Sequence, residues 1–355
     1  MQFMDEINKY GVCTICTTYN QSAFIEDTMN GFCMQQTTFP YICVILDDAS
    51  NDGEQKVIDK YLNDNFLSYD IDCLKETSDY IFYYYKHKQN HNCYFAVYYL
   101  KYNHYKKKDK YSYLGKWKSI SEFVALCEGD DYWTDSLKLQ IQYDFLKQNP
   151  QYSFCCHRYK IFNQETGMFL NDYAYSYYVE GKNLEIDETL FLRVWVTQTL
   201  ATMIRMEDWL EILDLRREYK MRRDVHTYYF LLQKNKGVSL NRFMGVYRWN
   251  VGGVASKVKP IIRYRTQFEI YKELLERNQE DIQLIPKVKN CGIHYLLCSK
   301  IGKDFFDAFK YMWSLSGTIK ERLKVLLSIF VPSYFSIYLF NNRREHRNNN
   351  LLISS

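Results

Sequence analysis

Two pairs of adjacent aspartates are the residues of this sequence best suited to chemistry. Asp47-Asp48 and Asp130-Asp131 each follow an apolar run of strand length, and Gly129 precedes the second pair. Adjacent carboxylates repel each other unless a cation or a hydrogen-bond network compensates their charge. Hard divalent cations take oxygen ligands, and Mg²⁺ commonly binds one or two carboxylates together with substrate phosphates. The second pair therefore indicates a site for a divalent cation and a diphosphate, and the first suits a ribose hydroxyl or a nucleobase N–H.

Alternating strand-like and helix-like segments position these pairs. Apolar runs of strand length occupy residues 12–18, 41–46, 80–85, 123–127 and 152–156, and helical periodicity follows at residues 24–33, 57–62, 94–105 and 137–145. This alternation predicts an α/β fold with a mostly parallel sheet and helices on both faces. Ligands bind beyond the carboxyl ends of the strands in such sheets, and residues 17–20 and both aspartate pairs fall there.

The composition excludes several classes of protein. The chain of 355 residues carries 46 Lys and Arg against 42 Asp and Glu, and its net charge of +4 is too balanced to indicate a nucleic-acid partner. Few glycines (14) and prolines (5), beside 34 Tyr and 22 Phe, exclude collagen-like and disordered chains. The 11 cysteines and a start without the features of a secretory signal predict a reducing, cytoplasmic compartment. Cys13 and Cys16 lie within a predicted buried strand, so we expect them to be structural.

Phosphate-binding loops of the common types are absent from the sequence. There is no G-x-x-x-x-G-K-[ST] and no G-x-G-x-x-G segment, so P-loop and dinucleotide-binding functions lose their main support. A sugar nucleotidyltransferase would need a glycine-rich basic loop after the first strand. Residues 17–22 contain neither Lys nor Arg, which counts against that alternative.

Three segments, in their order and spacing, resemble the motifs of family 2 glycosyltransferases with the GT-A fold. They are Thr18-Tyr19-Asn20, the acidic turn at residues 47–52, and the run ALCEGDDYWTD at residues 125–135. The third is similar to bacterial polysaccharide-assembly members. The resemblance spans about residues 10–256. It implies a Rossmann-like GT-A domain over residues 1–256, with a donor half (about 1–160) and an acceptor half (about 161–256), and a helical C-terminal region over residues 257–355.

The resemblance also implies roles for the donor-side residues. Thr17, Thr18 and Tyr19 would line the nucleobase pocket, and Asp48 would bind the base or ribose. In the D-x-D-type motif, Asp131 would contact Mg²⁺ or Mn²⁺ and Asp130 the ribose or sugar.

Two later residues complete the implied site. Asp224 would act as the general base, and Arg248, in a segment similar to the family's Y-R-x-x-x-G-G, would meet the diphosphate. The chain departs from the family pattern at Arg223, where Glu is frequent, and at Asn250, where His is common. An ion pair of Asp224 with a neighbouring arginine and a structural salt bridge of Arg248 are the alternatives. Tyr132 and Trp133 would either stack on the sugar or pack in the core.

These residues imply an inverting, metal-dependent glycosyltransferase. It would move a sugar from a UDP- or dTDP-sugar to a hydroxyl of a glycan or lipid-linked acceptor in cell-surface polysaccharide synthesis. A sugar nucleotidyltransferase and a non-catalytic carbohydrate-binding or scaffold protein remain alternatives.

The C-terminal region contains no apolar stretch long enough to span a membrane. Residues 325–340 come closest, but Pro332 interrupts them. Basic residues precede this segment at 320–324 and follow it at Arg343, Arg344 and Arg347. The pattern fits either a core helix pair or an interfacial element on the inner face of the cytoplasmic membrane.

Overall fold

The computed structural model describes residues 9–67, 74–104, 110–250 and 258–330. The chain divides into two compact units. The first, here called the sheet unit, runs to Phe162 and includes Ala174–Asp187 and Val196–Arg248. The second, the helical unit, comprises Asn163–Tyr173, Glu188–Trp195 and the chain from Trp249 onward.

The elements alternate between strand and helix over the first part of the chain. The strands are β1 (Tyr10–Thr18), β2 (Tyr41–Asp47), β3 (Leu74–Glu76), β4 (Tyr80–Lys86), β5 (Cys93–Leu100), β6 (Ser121–Leu126), β7 (Tyr132–Trp133), β8 (Phe154–Asn163), β9 (Met168–Leu170), β10 (Leu184–Ile186), β11 (Met203–Arg205) and β12 (Gly237–Trp249). The helices are α1 (Ile25–Cys33), α2 (Glu54–Asn65), α3 (Gly115–Ser119), α4 (Lys138–Gln148), α5 (Glu188–Arg193), α6 (Met206–Leu215), α7 (Asp224–Lys234), α8 (Pro260–Arg277), α9 (Leu284–Cys298), α10 (Lys303–Leu315) and α11 (Ile319–Phe330).

The centre of the sheet is parallel. Strands run in the order β10-β12-β8-β11-β6-β1-β2-β5-β4-β3, and β6, β1, β2 and β5 are parallel neighbours. Antiparallel strands flank them: β4 pairs with β5, and β11 pairs with β6 and β8. Thr18 of β1 is paired with Asp47 of β2, and Ile15 with Leu126 of β6, so three strands end at one edge. The predicted mostly parallel α/β sheet is confirmed.

The predicted helix over residues 94–105 is wrong, because residues 93–100 form the central strand β5. Every residue of β5 is buried, since the strand lies between β2 and β4 and is covered on both faces. A short apolar run gives no periodicity that separates a buried strand from a buried helix. Its aromatic and β-branched content (CYFAVYYL) is the feature that favours the strand.

Helices cover both faces of the sheet, as predicted. Successive side chains of a strand point to opposite faces, and Tyr94 and Phe95 of β5 show this. The Tyr94 ring lies 5.7 Å from Tyr10, which in turn packs against Trp117 of α3. The Phe95 ring lies 6.3 Å from Phe32 of α1 on the other face. Much of the unusual aromatic content is therefore core packing.

The helical unit contains α5 and α8–α11, which confirms a helical C-terminal part. Phe268 of α8 stacks on Tyr295 of α9 with 5.8 Å between ring centroids. The predicted domain boundary after residue 256 falls within residues 251–257, and most of the apolar segment 325–340 falls beyond residue 330. Both lie outside the described residues. Among the helices of the described ranges, none has the length and apolar character needed to cross a membrane.

Candidate functional site

Backbone hydrogen bonds join the loops that follow β1 and β2. The amide of Asp48 donates to the carbonyl of Thr18 at 3.0 Å, and the amide of Ser22 donates to Asp52 Oδ2 at 2.9 Å. The loops turn at Asn20 and Ala49, which hold positive φ angles of 54° and 63°. Such angles are uncommon for residues other than glycine, so the two loops are tightly specified.

Glu54, at the start of α2, holds this pair of loops together. Its carboxylate accepts hydrogen bonds from the Thr18 hydroxyl, from the amide of Gln21 at 2.9 Å and from the Ser50 hydroxyl at 2.8 Å. Burial raises the pKa of Glu54. The Thr18 side chain, predicted to line a nucleobase pocket, thus forms a hydrogen bond that shapes the loop.

The carboxylates of the first aspartate pair are held by protein groups. Asp48 Oδ1 accepts the backbone N–H of His104 at 2.7 Å, and the His104 ring Nδ1 lies 3.3 Å from the same oxygen. Asp47 accepts hydrogen bonds from the amide of Ser50 and from the side chain of Gln55. Tyr19, beside this turn, is exposed.

The second acidic turn packs directly against the end of β1. A Cβ atom on Gly129 would lie 2.3 Å from Thr18 Oγ1, so only glycine fits there. The amide of Gly129 donates to the carbonyl of Thr17 at 3.2 Å. The Thr28 hydroxyl of α1 bridges the carbonyls of Gly129 and Asp131 at 2.9 and 2.6 Å. These contacts fix the turn at the carboxyl edge of the sheet.

Three carboxyl groups crowd this second turn. Asp131 is 2% exposed, and its Oδ1 accepts the backbone N–H of Arg248 at 2.8 Å. Burial, with repulsion from Asp130 and Glu128, raises the pKa of Asp131 well above its usual value. Burial, with repulsion from Asp224, raises the pKa of Glu128 to about 7, although the Thr199 hydroxyl donates to it at 2.5 Å. Burial and repulsion therefore disfavour the charged forms of Asp131 and Glu128.

Arg248 is engaged on several sides. Its guanidinium forms an ion pair with Asp27 of α1 and donates to the carbonyl of Asp130 at 3.2 Å. The guanidinium carbon lies 4.5 Å from the ring centre of Tyr132. In this structure Arg248 stabilises the acidic turn through these contacts. Its predicted contact with a diphosphate stays a prediction.

Two residues that follow the turn, Trp133 and Lys138, are buried. Trp133 is buried, lies 4.8 Å from Phe32 between ring centroids and donates its indole N–H to the carbonyl of Leu200 at 2.8 Å. Lys138 Nζ lies 3.7 Å from the Trp133 ring centre, and burial lowers the pKa of this lysine to about 7. Trp133 therefore belongs to the core rather than to a sugar-stacking surface.

A small cavity of about 30 Å³ opens beside the carboxyl edge of the sheet. It brings together side chains from β1, β6, α6 and α7 and from the segments that connect the elements of the sheet unit: Ile15, Thr17, Tyr111, Leu126, Glu128, Thr199, Trp209, Arg216, Asp224, Thr227 and Tyr228. Thr17 and Asp224, both predicted, lie in this lining. Four other predicted residues do not line it: Asp48, Asp130 and Asp131, which lie at the neighbouring turns, and Arg248, which lies on β12.

Two residues of the cavity were missed by the sequence interpretation. Glu128 belongs to the acidic motif, but only its proximity to Asp224 distinguishes it from the aspartates that follow. Arg216 donates to the Thr227 hydroxyl at 2.7 Å, and its Nε is buried without a hydrogen-bond partner. No local pattern marks Arg216, because it follows α6 in a short helical turn far from every motif.

The acidic turn does not by itself provide a full set of protein ligands for a divalent cation. Within the described ranges, no group of three or more His, Cys, Asp or Glu side chains that could hold a metal ion is found. Mg²⁺, however, takes one or two carboxylates together with phosphate oxygens. The raised pKa values of Asp131 and Glu128 are the structural sign that added positive charge would be stabilised here.

Comparison with known proteins supports the fold. No protein-family model matches the chain. Uncharacterized proteins of Mycobacterium bovis and Mycobacterium tuberculosis are 29% identical to it over 151 residues, which is 42% of this chain and 36% of theirs. The chain thus matches about a third of the length of those relatives.

The structure is similar to that of residues 1–349 of TarS from S. aureus in complex with UDP-GlcNAc. The TM-score is 0.52 at 16% identity, over 89% of this chain and 79% of that one. A mannosyltransferase from Pyrobaculum calidifontis, in complex with GDP-Man and Mn²⁺, matches with a TM-score of 0.45 at 11% identity, over 91% of this chain and 85% of that one. The protein shares the fold of TarS residues 1–349.

Proposed function

We propose that this protein is an inverting glycosyltransferase of the family 2, GT-A type. It transfers a sugar from a UDP- or dTDP-sugar to a hydroxyl group. The observation that carries the proposal is one cavity at the carboxyl edge of a parallel sheet that brings Glu128 and Asp224 together beside Thr17. A buried carboxyl with a raised pKa, such as Glu128, is typical of sites that handle protons or cations. The fold shared with TarS, whose structure contains UDP-GlcNAc, is compatible with a nucleotide-sugar donor.

The two acidic turns divide the binding of the donor. Thr17, Tyr19 and the rim of the first turn at Asp48 contact the base and ribose. Asp131 would hold Mg²⁺ or Mn²⁺ together with the donor diphosphate, and Asp130 would contact the ribose or sugar. When bound, the cation acts as a Lewis acid that stabilises negative charge on the departing diphosphate.

Asp224 is the general base in this proposal. It is the first residue of α7, is exposed and lines the cavity, so an acceptor hydroxyl can reach its carboxylate. Asp224 takes the hydroxyl proton while the oxygen attacks the anomeric carbon on the face opposite the nucleoside diphosphate. The C–O bond to the diphosphate breaks, the electron pair leaves with the phosphate oxygen, and the anomeric configuration inverts. General-base catalysis of this kind contributes typically ~10²–10⁴-fold.

Of two arginines near the site, one supplies positive charge to the diphosphate. Arg216 lines the cavity directly, whereas Arg248 donates hydrogen bonds to the carbonyl of Asp130 and the carboxylate of Asp131. Arg216 therefore makes the direct contact, and Arg248 holds the acidic turn in position.

The acceptor is a glycan or lipid-linked glycan used in cell-surface polysaccharide synthesis. The proposed donor is made in the cytoplasm, and such an acceptor lies at the inner face of the cytoplasmic membrane. We accordingly propose a cytoplasmic protein that is peripheral to that membrane.

A panel of nucleotides and nucleotide sugars, with and without Mn²⁺, tests the proposal. One UDP- or dTDP-sugar should raise the melting temperature in a Mn²⁺-dependent way, because a ligand that binds only the folded state stabilises it. NMR of the product formed with that donor should then show an inverted anomeric centre. No shift with any donor would favour a non-catalytic scaffold. Release of pyrophosphate from a nucleoside triphosphate and a sugar phosphate would instead identify a sugar nucleotidyltransferase.

A further inference from the structure

The outward face of α11 in the helical unit is apolar although no part of the described chain covers it. Ile319, Leu323 and Leu327 are 80%, 52% and 57% exposed. Residues four apart lie on one face of a helix, so these three form a continuous stripe over about 80° of its circumference. Val325 and Ser328, on the opposite side, are buried against the rest of the unit. The stripe is therefore a second apolar face of a helix whose first face is already packed.

Basic residues adjoin the stripe, and the one acidic residue of α11 points away from it. Lys320 and Lys324 are exposed and border the stripe on one side. Glu321 accepts a hydrogen bond from Lys289 of α9 at 2.9 Å and from the amide of Gly317 at 3.0 Å. The solvent-facing surface of α11 thus combines aliphatic side chains with positive charge and lacks acidic groups.

We propose that this face of α11, defined by Ile319, Leu323, Leu327, Lys320 and Lys324, docks on an anionic lipid bilayer. A helix with one strongly apolar face and flanking lysines lies in the plane of the interface, with its apolar side chains among the acyl chains. Lysines at the border meet anionic headgroups, so the partner must carry negative charge as well as apolar surface. A second copy of this chain would offer the same positive charge and would be repelled.

The proposal does not depend on glycosyl transfer and is tested without nucleotide. The full chain is co-sedimented with vesicles of phosphatidylcholine alone and of phosphatidylcholine mixed with phosphatidylglycerol. The variant I319Q/L323Q/L327Q keeps helix-compatible side chains while it removes the stripe. Its partition onto the mixed vesicles should fall at least about tenfold. The variant K320Q/K324Q should lose about tenfold on the mixed vesicles and little on neutral ones.

A matched control comes from the same unit. Ile262, Ile282 and Ile301 are 52%, 70% and 59% exposed and lie outside α11. The variant I262Q/I282Q/I301Q removes as many exposed aliphatic side chains and should bind vesicles like the wild type. Circular dichroism and melting temperature verify that each variant is folded.

Three results would overturn the proposal. The first is a wild type that remains in the supernatant with every vesicle. The second is an α11 variant that binds as tightly as the wild type, which would assign binding to another segment. The third is a wild-type dimer in sedimentation velocity that the α11 variant converts to a monomer, without lipid binding in either. That result would assign the stripe to a second copy of the chain.

Discussion

The two acidic turns at the carboxyl edge of the sheet differ in how their charge is compensated. In the first turn, Asp47 and Asp48 receive hydrogen bonds from Ser50, Gln55 and His104, although burial still raises the pKa of Asp47. In the second turn, burial and repulsion among the carboxyl groups of Glu128, Asp130 and Asp131 raise the pKa values of Glu128 and Asp131. Similar local patterns, an apolar strand followed by acids, thus give one turn whose carboxylates accept several hydrogen bonds from protein groups and one turn in which buried carboxyl groups repel one another.

The difference suggests two roles: the first turn shapes the nucleoside pocket, and the second turn takes part in the chemistry. A turn whose carboxylates are satisfied by the protein is rigid in the absence of ligand and can define the outline of a nucleoside pocket. A turn whose buried carboxyl groups repel one another is stabilised when a cation binds there. We therefore expect substitutions in the second turn to abolish turnover and substitutions in the first turn to weaken donor binding.

The largest effect is expected for Asp131→Asn. The substitution preserves shape and removes the charge that would bind Mg²⁺ or Mn²⁺, so the rate of donor turnover should fall at least about 1,000-fold. Initial rates of nucleoside diphosphate release with Mn²⁺ measure this. The melting temperature without metal should stay the same or rise, since a repelled buried charge is lost. A variant that keeps its activity and its Mn²⁺-induced thermal shift would contradict the role of Asp131.

Asp224→Asn should lower kcat about 100-fold or more while the binding of UDP is unchanged. The amide cannot accept the acceptor proton, and a general base contributes typically ~10²–10⁴-fold. Steady-state kinetics and isothermal titration with UDP separate the two quantities. Arg223→Gln is the matched control, because it changes the neighbouring charge without removing the base. If Asp224→Asn merely unfolds the protein, Asp224 is structural.

Asp48→Asn tests the shaping role of the first turn. A hydrogen bond to a charged group is worth about 1.5–3 kcal/mol, so the KM for the donor should rise about tenfold or somewhat more while kcat changes little. Initial rates over a range of donor concentrations give both constants. A large fall in kcat with an unchanged KM would mean that the first turn takes part in the chemistry, and the comparison of the turns would break down.

The smallest effect concerns stability as a function of pH. The pKa of Glu128 is raised to about 7 in the folded protein, so the folded state binds more protons than the unfolded state between about pH 4.5 and 7. The stability that this group contributes is present at low pH and is lost as pH rises through 7. Glu128→Gln imitates the protonated form and should melt a few °C above the wild type at pH 8, but not at pH 5.

Differential scanning calorimetry of both proteins, without metal, measures this difference. Comparing the wild type with Glu128→Gln cancels the contributions of titrating groups that do not interact with Glu128, such as His157 and His226, whose pKa values burial lowers. The melting temperatures should converge as pH falls. A constant offset between the proteins from pH 5 to pH 8 would contradict the raised pKa of Glu128.

The sequence predicted the architecture well where local patterns decide it. Apolar runs that end in polar clusters located β1, β2 and β6, and the pairing of Thr18 with Asp47 brings those ends together as expected. The prediction was wrong at residues 94–105, because a fully buried strand lacks the alternation that identifies a strand. Burial on both faces arises only in the assembled sheet, so the sequence of such a strand shows no alternation of apolar and polar residues.

The site was only partly predictable, for a similar reason. Strand-end motifs identified Asp48, Asp130 and Asp131 as neighbours. The contacts that set their electrostatics join distant parts of the chain: Arg248 pairs with Asp27, 221 residues away. Likewise, the repulsion between Glu128 and Asp224 arises only when α7 approaches the end of β6. Such pairs have no spacing rule, so a single sequence cannot reveal them.

The edges of the sheet have a consequence for the behaviour of the protein at high concentration. The strand path ends at β10 on one side and at β3 on the other, and each of these strands has only three residues. Unpaired N–H and C=O groups on an edge strand are a template for pairing with another chain, and short edge strands limit that template. Folded molecules should therefore resist edge-to-edge aggregation. The long, apolar β2 and β5 should promote aggregation only while the chain is unfolded.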